Sequence, residues 1–389
     1  ADAHSARATC DVGRVSARAD ALGTLDAVID EPGDTGITSL LGKFWGSWQA
    51  LSLAPESAAN RQGVRDAGEA LAQGFADLNT KLTAAQGEAD TRIGLGTARV
   101  NELSTQINEL NRKIAMVKAV GQEPNDLRDL RDMLIDEIAG YANVGVSENA
   151  LNGKVSVAIG SQLIVDGTTD TVNALAIDGA GAATVNGVAT TIASGALRVL
   201  VDLRDSVIGG AGGYLAQLDA VAGAVATSVN ARHAAGYGLD GSTGNAFFAG
   251  TTAATLAISA RVAASVDAIA ASDTAGGVPA SSGNAIAMAQ LQYVVQTIGT
   301  STTSLDGFYQ QMVTALGVDT DQANRLTQVH SGVLDAAVAR REGVSGVNLD
   351  EEMSDMVRFQ KSYNAAARMI TTLDEMLETI VSRMGVVGR

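Results

Sequence analysis

The chain has 389 residues, room for about two or three domains, and a formal net charge of −16. An acidic chain lacks the clustered Lys and Arg needed to bind a phosphate backbone, which argues against a nucleic-acid partner. A single cysteine excludes internal disulfides and a cysteine-based zinc site, and no apolar run is long enough for insertion into a membrane.

Helical periodicity dominates residues 1–142, because apolar residues recur there at spacings of three and four. Ser57 is a favourable N-cap for the longest of these helices. Its apolar stripe steps out of phase after Ala89, as at a coiled-coil stutter. The predicted helices of this first part of a long-helix bundle span 1–28, 37–53, 58–120 and 124–141.

A small antiparallel β insert is predicted over 143–194, where turn dipeptides such as Asn152-Gly153 and Asn186-Gly187 separate short β-favouring pieces. Charged residues are rare in this insert. The predicted strands are 155–159, 162–165, 171–177 and 188–192.

Helical patterns return after the insert, first in a bridging region of helices and loops over 195–283 and then in 284–389, which is predicted to close the bundle. The fold class is therefore mainly α with a small β insert: a long-helix bundle built from both ends of the chain, with an inserted antiparallel β domain. The predicted helices of this part span 195–208, 214–235, 284–298, 304–316 and 319–341, followed by the terminal helix.

The terminal helix, 348–385, carries the strongest pattern in the sequence. Asn348 and Glu351 form a capping box, and no Gly or Pro interrupts the helix before Gly385. Apolar residues repeat every seven positions over about five heptads, which predicts packing against other long helices. The predicted packing face consists of Leu349, Met353, Met356, Phe359, Tyr363, Ile370, Leu373, Leu377, Ile380 and Met384.

Motifs for catalysis, cofactors or metals are weak. The histidines His4, His233 and His330 are too far apart in sequence for metal-ligand spacing. Gly209–Gly213 lacks the Lys-Ser/Thr of a phosphate loop, and Asp240-Gly241 lacks the further ligands of a calcium loop. We therefore predict no cofactor, no metal site and no catalytic residue.

Three motifs resemble the hook-associated protein 1 (FlgK) family of flagellar axial proteins. Ser345–Met353 with the following Phe359-Gln360 resembles its C-terminal signature, Asn230–Gly241 its central motif, and Pro124–Leu127 the end of its long helix. Gly238 stands where the family commonly has Asp. The family's N-terminal segment, which pairs with the C-terminal helix and carries export information, is not in this sequence.

The resemblance implies a structural subunit at the junction between flagellar hook and filament. Its expected partners are copies of itself in a ring, the hook protein, a second hook–filament junction protein and an export chaperone on the C-terminal helix. Relatives leave the cell through the flagellar export channel, so an extracellular flagellar location is expected.

Two other classes of function remain open from the residues alone. A coiled-coil binding or signalling module would also use apolar heptads. An enzyme with its site in the β insert would have only Lys154, Asp166, Asp170 and Asp178 as charged groups between Gly153 and Leu197, which leaves little acid–base machinery.

Overall fold

The computed structural model describes residues 2–345 and 349–384, and the side chains of 8–340 and 353–382. The chain packs as two units: Ala3–Leu334, called here the body, and a unit that contains the residues from Asp335 onward. The architecture is mainly helical with small antiparallel sheets, so the predicted fold class is confirmed. The predicted division of the chain at residues 142, 194 and 283 stays a prediction.

Helix α3 is the longest element of the body, with 62 residues and therefore a length of about 90 Å. It begins where predicted, because the side chain of Ser57 accepts a hydrogen bond from the Asn60 amide. The helices are α1 (Asp2–Ile29), α2 (Ile37–Leu53), α3 (Ala58–Ala119), α4 (Asn125–Tyr141), α5 (Ala196–Asp202), α6 (Tyr214–Ala234), α7 (Ala260–Ala264), α8 (Gly283–Gln290), α9 (Leu305–Ser345) and α10 (Leu349–Met384).

Two antiparallel sheets form the β module between α4 and α5. The first has the order β1 (Val144–Glu148), β2 (Val155–Ile159), β3 (Gln162–Asp166) and β4 (Thr171–Val172); the second has β5 (Leu175–Ile177), β6 (Ala183–Val185) and β7 (Val188–Thr190). Two further hairpins pair β8 (Phe248–Ala249) with β9 (Ala257–Ile258), and β10 (Gln296–Ile298) with β11 (Ser301–Thr303).

One predicted strand and one predicted helix are wrong, and tertiary contacts explain both differences. The strand predicted over 171–177 is two strands, β4 and β5, because the chain leaves one sheet at Asn173 and enters the other. The helix predicted over 284–298 ends at Gln290, since the β-branched Val294 and Val295 lead into β10, which pairs with β11.

Two further boundaries differ from the predictions. The helices predicted over 304–316 and 319–341 are one continuous helix, α9; Gly317 is exposed there, and a single helical glycine costs only about 1 kcal/mol. The helix predicted over 195–208 is α-helical only to Asp202, and Leu203–Ile208 winds as a π-helix.

The first hydrophobic core is built around aromatic residues of α2 and the β8 region. The rings of Phe44 and Phe247 lie 5.6 Å apart, and those of Phe247 and Phe248 lie 4.8 Å apart in an edge-to-face arrangement that aromatic pairs favour. The apolar stripe of α3 enters this core from Val64 to Ala89.

His233 lies at the centre of the first core and is fully buried. Its Nδ1 is 2.7 Å from the carbonyl oxygen of Asn245, to which it donates, and its Nε2 accepts from the Ala270 amide at 3.0 Å. This pairing fixes a neutral imidazole, because a protonated Nε2 would face another N–H group. Burial lowers the pKa of His233 to about 4.

A second core joins the C-terminal half of α3 to α4 and the β module. Val100, Leu103 and Ile107 of α3 pack against buried strand residues such as Val157 and Ile164. The stutter predicted after Ala89 falls between the two cores, and its extra step offsets the drift of a heptad stripe around the helix, so Val64 of the first core and Val100 of the second lie on the same side of α3.

Asparagine side chains of α3 hold the β module through its backbone. The Asn111 amide donates to the Val155 carbonyl at 2.8 Å and accepts from the Val155 N–H at 3.0 Å. Asn101 pairs in the same way with Leu175 of β5, at 2.9 and 2.8 Å. Each side-chain amide thus acts as one more strand partner, and both sheets are attached to the same helix.

We predict that acid weakens the body through His233. The unfolded histidine has a pKa near 6.5 and the folded one about 4, so the unfolded state binds more protons between these pH values. The stability contributed by the neutral ring is complete above pH ~6.5 and is lost as the pH falls to about 4, by roughly 3 kcal/mol. Urea unfolding of the wild type and of His233→Gln across this range measures the effect.

The matched control is His330→Gln, the same substitution on α9, measured over the same pH range. If the His233→Gln protein loses as much unfolding free energy between pH 7 and pH 4.5 as the wild type does, the buried ring is not the cause.

We also predict that Asn111→Leu loosens the β module. The substitution leaves the Val155 N–H and C=O buried without a partner, and each such group costs about 1–3 kcal/mol. Amide hydrogen exchange should accelerate in β2 more than in α2. Lys113→Leu, on the exposed side of α3, is the control; equal exchange in both variants would contradict the role of Asn111.

Candidate functional site

The predicted packing face lies on α10, and its described members are all open to solvent. Their exposed fractions run from 54% at Leu373 to 77% at Tyr363. The side chains of Leu349 and Met384 lie outside the described residues. The members with described side chains are Met353, Met356, Phe359, Tyr363, Ile370, Leu373, Leu377 and Ile380.

The local sequence explains why this exposed segment is helical. The good helix formers Met, Glu, Arg, Leu and Ala recur through α10, and neither Gly nor Pro occurs between Leu349 and Met384. The hydroxyls of Ser362, Thr371 and Thr379 bond to carbonyls one turn earlier, at 2.7–2.9 Å for the shortest contact of each. Asp355 and Arg358 form an exposed ion pair at 3.5 Å, which contributes little stability.

The pattern of α10 indicates what kind of partner would cover it. Apolar residues at a repeat of seven fall behind the natural turn of an α-helix by about 20° per heptad, and helices compensate by coiling around each other with a left hand. Burying one such side chain fully yields about 1.5–3 kcal/mol. Packing of this face against other long helices stays a prediction, and such packing would yield substantial free energy.

Two of the candidates for chemistry found in the sequence, His233 and Cys10, are buried. His233 is a core residue, His330 lies on α9, and the side chain of His4 lies outside the described residues. Burial raises the pKa of the Cys10 thiol, which disfavours its reactive thiolate. Within the described part of the chain, no three His, Cys, Asp or Glu side chains come together as a metal site.

The loops singled out in the sequence are turns. Gly213 donates to the Gly210 carbonyl at 2.8 Å, and the glycine segment joins the π-helix to α6. Asp240 accepts from the Ser242 amide at 2.9 Å and forms an ion pair with Arg261. None of the helices in the described ranges is long and apolar enough to cross a membrane.

A cleft of about 430 Å³ lies between α3 and β9. Its charged lining residues are Arg65 and Glu69, and Arg65 already contacts Asp66 at 3.5 Å. A nucleophile needs an adjacent base for covalent catalysis, and the residues lining this cleft do not include such a pair.

Sequence reasoning missed the residues that connect the β module to the neighbouring helices. Arg204, in the π-helix, has only 6% of its side chain exposed and bonds to Asp90 of α3, to Asp205 and to the Asp178 carbonyl. Arg131 of α4 is buried and donates to the Gly153 carbonyl at 2.8 Å. Their only signal in the sequence is a charged residue at a position where the helical pattern calls for an apolar one.

Comparison with known proteins identifies the family. Residues 22–248 match the family model described as the helical domain of the flagellar hook-associated protein FlgK, and residues 343–383 match the model of the C-terminal region of flagellar basal body rod FlgEFG proteins. The second match covers most of the exposed face on α10.

Individual relatives agree with these matches. The chain is 30% identical to the flagellar hook-associated protein 1 of Bacillus subtilis, over 97% of this chain and 82% of that protein. The protein of the same name from Escherichia coli is 23% identical, over 91% and 82% respectively. The solved structure of the flagellar hook junction protein FlgK from Burkholderia pseudomallei shares the fold, with a TM-score of 0.75 at 16% identity over 89% of this chain and 100% of that one.

The match thus runs along nearly the whole sequence. It accompanies a long helical body and a C-terminal helix whose heptad face is exposed. A structural role in the bacterial flagellum follows, and this is not a known family of enzymes. The chain belongs to the FlgK family of flagellar hook-associated proteins.

Proposed function

We propose that the protein forms the junction between hook and filament and assembles through its long amphipathic helices. The observation that carries the proposal is the exposed heptad face of α10, which needs other helices to become buried. The flagellar hook junction protein FlgK from Burkholderia pseudomallei shares the fold of this chain.

The proposed partners follow from the same face and from the family. Copies of this chain would form a ring in which α10 packs among long helices. The hook protein would lie on one side of the ring and a second junction protein on the other. Before assembly, a chaperone would cover α10, and the chain would leave the cell through the flagellar export channel.

A chaperone on α10 has a physical rationale. An apolar helix face this long promotes association with any other exposed apolar surface. Helices gain most of their stability from packing, so α10 can unfold for export and order again against its final partners. The chaperone before export and the helix assembly after export would therefore shield the same apolar face of α10 from solvent.

We predict that Ile370→Asp combined with Leu377→Asp abolishes attachment of filaments. Two carboxylates on the buried face of a helix assembly would each have to be desolvated, which costs several kcal/mol per charge. Swimming in soft agar, counts of filaments per cell by electron microscopy and the amount of this chain in the medium would be measured in the bacterium that carries it.

The control is Ala365→Asp combined with Thr372→Asp. These residues have the same spacing of seven and the same added charge, but they lie on the opposite side of α10, and both are exposed. Control cells should swim. Normal filaments on the Ile370/Leu377 variant would refute assembly through this face.

A further inference from the structure

A second surface without an assigned role lies on the body, around α8 and the β10–β11 hairpin. No charged residue occurs between Asp273 and Asp306, although the chain carries 70 charged residues in all. Protein surfaces normally mix charges of both signs, at about a quarter to a third of their residues. A long uncharged segment that stays at the surface is therefore unusual and calls for an explanation.

Several large apolar side chains on this segment are exposed to solvent. Tyr293 is 76% exposed and Val295 is 64% exposed, with Ile286 and Val294 each at 45%. Scattered apolar residues on a surface need no explanation, but four within ten positions and without intervening charge form a patch.

The backbone groups these side chains on common sides of their elements. Ile286, Gln290 and Tyr293 follow one another at spacings of four and three, so they share the outer side of α8 and the turn after it. Val295 and Thr297 follow in extended backbone, where alternate residues point to the same side. We call Ile286, Gln290, Tyr293, Val295 and Thr297 the neutral face, which Val294 borders.

The neutral face rests on a rigid support. Ala285 and Met288, on the inner side of α8, are fully buried in the first core. The Asn284 amide donates to the Ala270 carbonyl at 2.6 Å, and the Ser228 hydroxyl lies 2.9 Å from Oε1 of Gln296. A partner would therefore meet a preorganised surface, and little conformational entropy would be lost at the contact.

We propose that the neutral face is a contact surface between two copies of this chain. Each copy carries a net charge of −16, so copies repel one another wherever their acidic surfaces approach. A contact between two such chains is least opposed where neither side presents a carboxylate. A partner of different sequence would more simply be selected by basic residues that pair with the acidic surface.

The composition of the neutral face also fits an interface core. Such cores are depleted in charge and enriched in aromatic residues, and tyrosine is common among the residues that dominate binding. Tyr293 offers a large contact area with a phenol that can bond at the rim. Because no charge is involved, a rise in salt concentration should leave the contact intact or strengthen it by screening the repulsion.

The inference deepens the proposed self-assembly and rests on it, but it concerns the body and not α10. It is tested by replacing Tyr293 with the photo-crosslinking amino acid p-benzoylphenylalanine in the full chain, in cells that build flagella. Irradiation should give a product of twice the mass of the chain, and mass spectrometry should find peptides of this chain on both sides. Adding Val295→Asp should reduce its yield at least tenfold, since a carboxylate would then have to be desolvated within the contact.

Two matched controls test whether the crosslink and its loss are specific to the neutral face. Val188→Asp, on exposed β7, adds the same charge elsewhere and should leave the yield unchanged, and the crosslinker at Leu95 of α3 should give no self-product. A crosslink from position 293 to a different protein, or none in assembled flagella, overturns the proposal. A self-crosslink in cells whose Ile370/Leu377 variant still swims would keep this contact and reject assembly through α10.

Discussion

Burial of one apolar stripe along α3 is the constraint on which the body depends. The stripe alternates by three and four residues, enters the first core up to Ala89 and the second from Val100, and changes phase in between. A strict heptad stripe drifts around a straight helix by about 20° per heptad, and the stutter offsets this drift. One side of a single helix thus contributes to both cores, with the aromatic residues of α2 in the first and the strands of the β module in the second.

Polar side chains, together with the apolar stripe of α3, hold the β module in place. Asn101 and Asn111 satisfy strand N–H and C=O groups that would otherwise be buried without partners, and Arg204 bonds to groups of α3 and the β module together. An amide supplies a donor and an acceptor without a charge, so it adds a partner to a strand at a lower desolvation cost than an ionised group. The β module is thereby oriented by specific bonds and not only by apolar contact.

The two open apolar surfaces differ in kind. The face of α10 is long, repeats every seven residues and fits other helices, whereas the neutral face is short, lies across a helix and a hairpin, and is supported by the first core. In an acidic chain, both avoid the electrostatic cost that would accompany close approach of like charges. The proposed assembly uses one surface for packing among helices and the other for contact between bodies.

The sequence by itself determined most helices and their apolar faces. A spacing of three and four residues is a local property of the chain, so it can be recognised before the fold is known. The ends of α2, α3 and α4, the strand over 155–159 and the heptads of α10 could all be read in this way. Only the tertiary structure decided where 284–298 leaves the helix for β10, that 171–177 divides between two sheets, and that Asn101, Asn111 and His233 bond to backbone far along the chain. These features depend on partners distant in sequence, and a single polar residue in a helical pattern carries no signal of the carbonyl that it will meet.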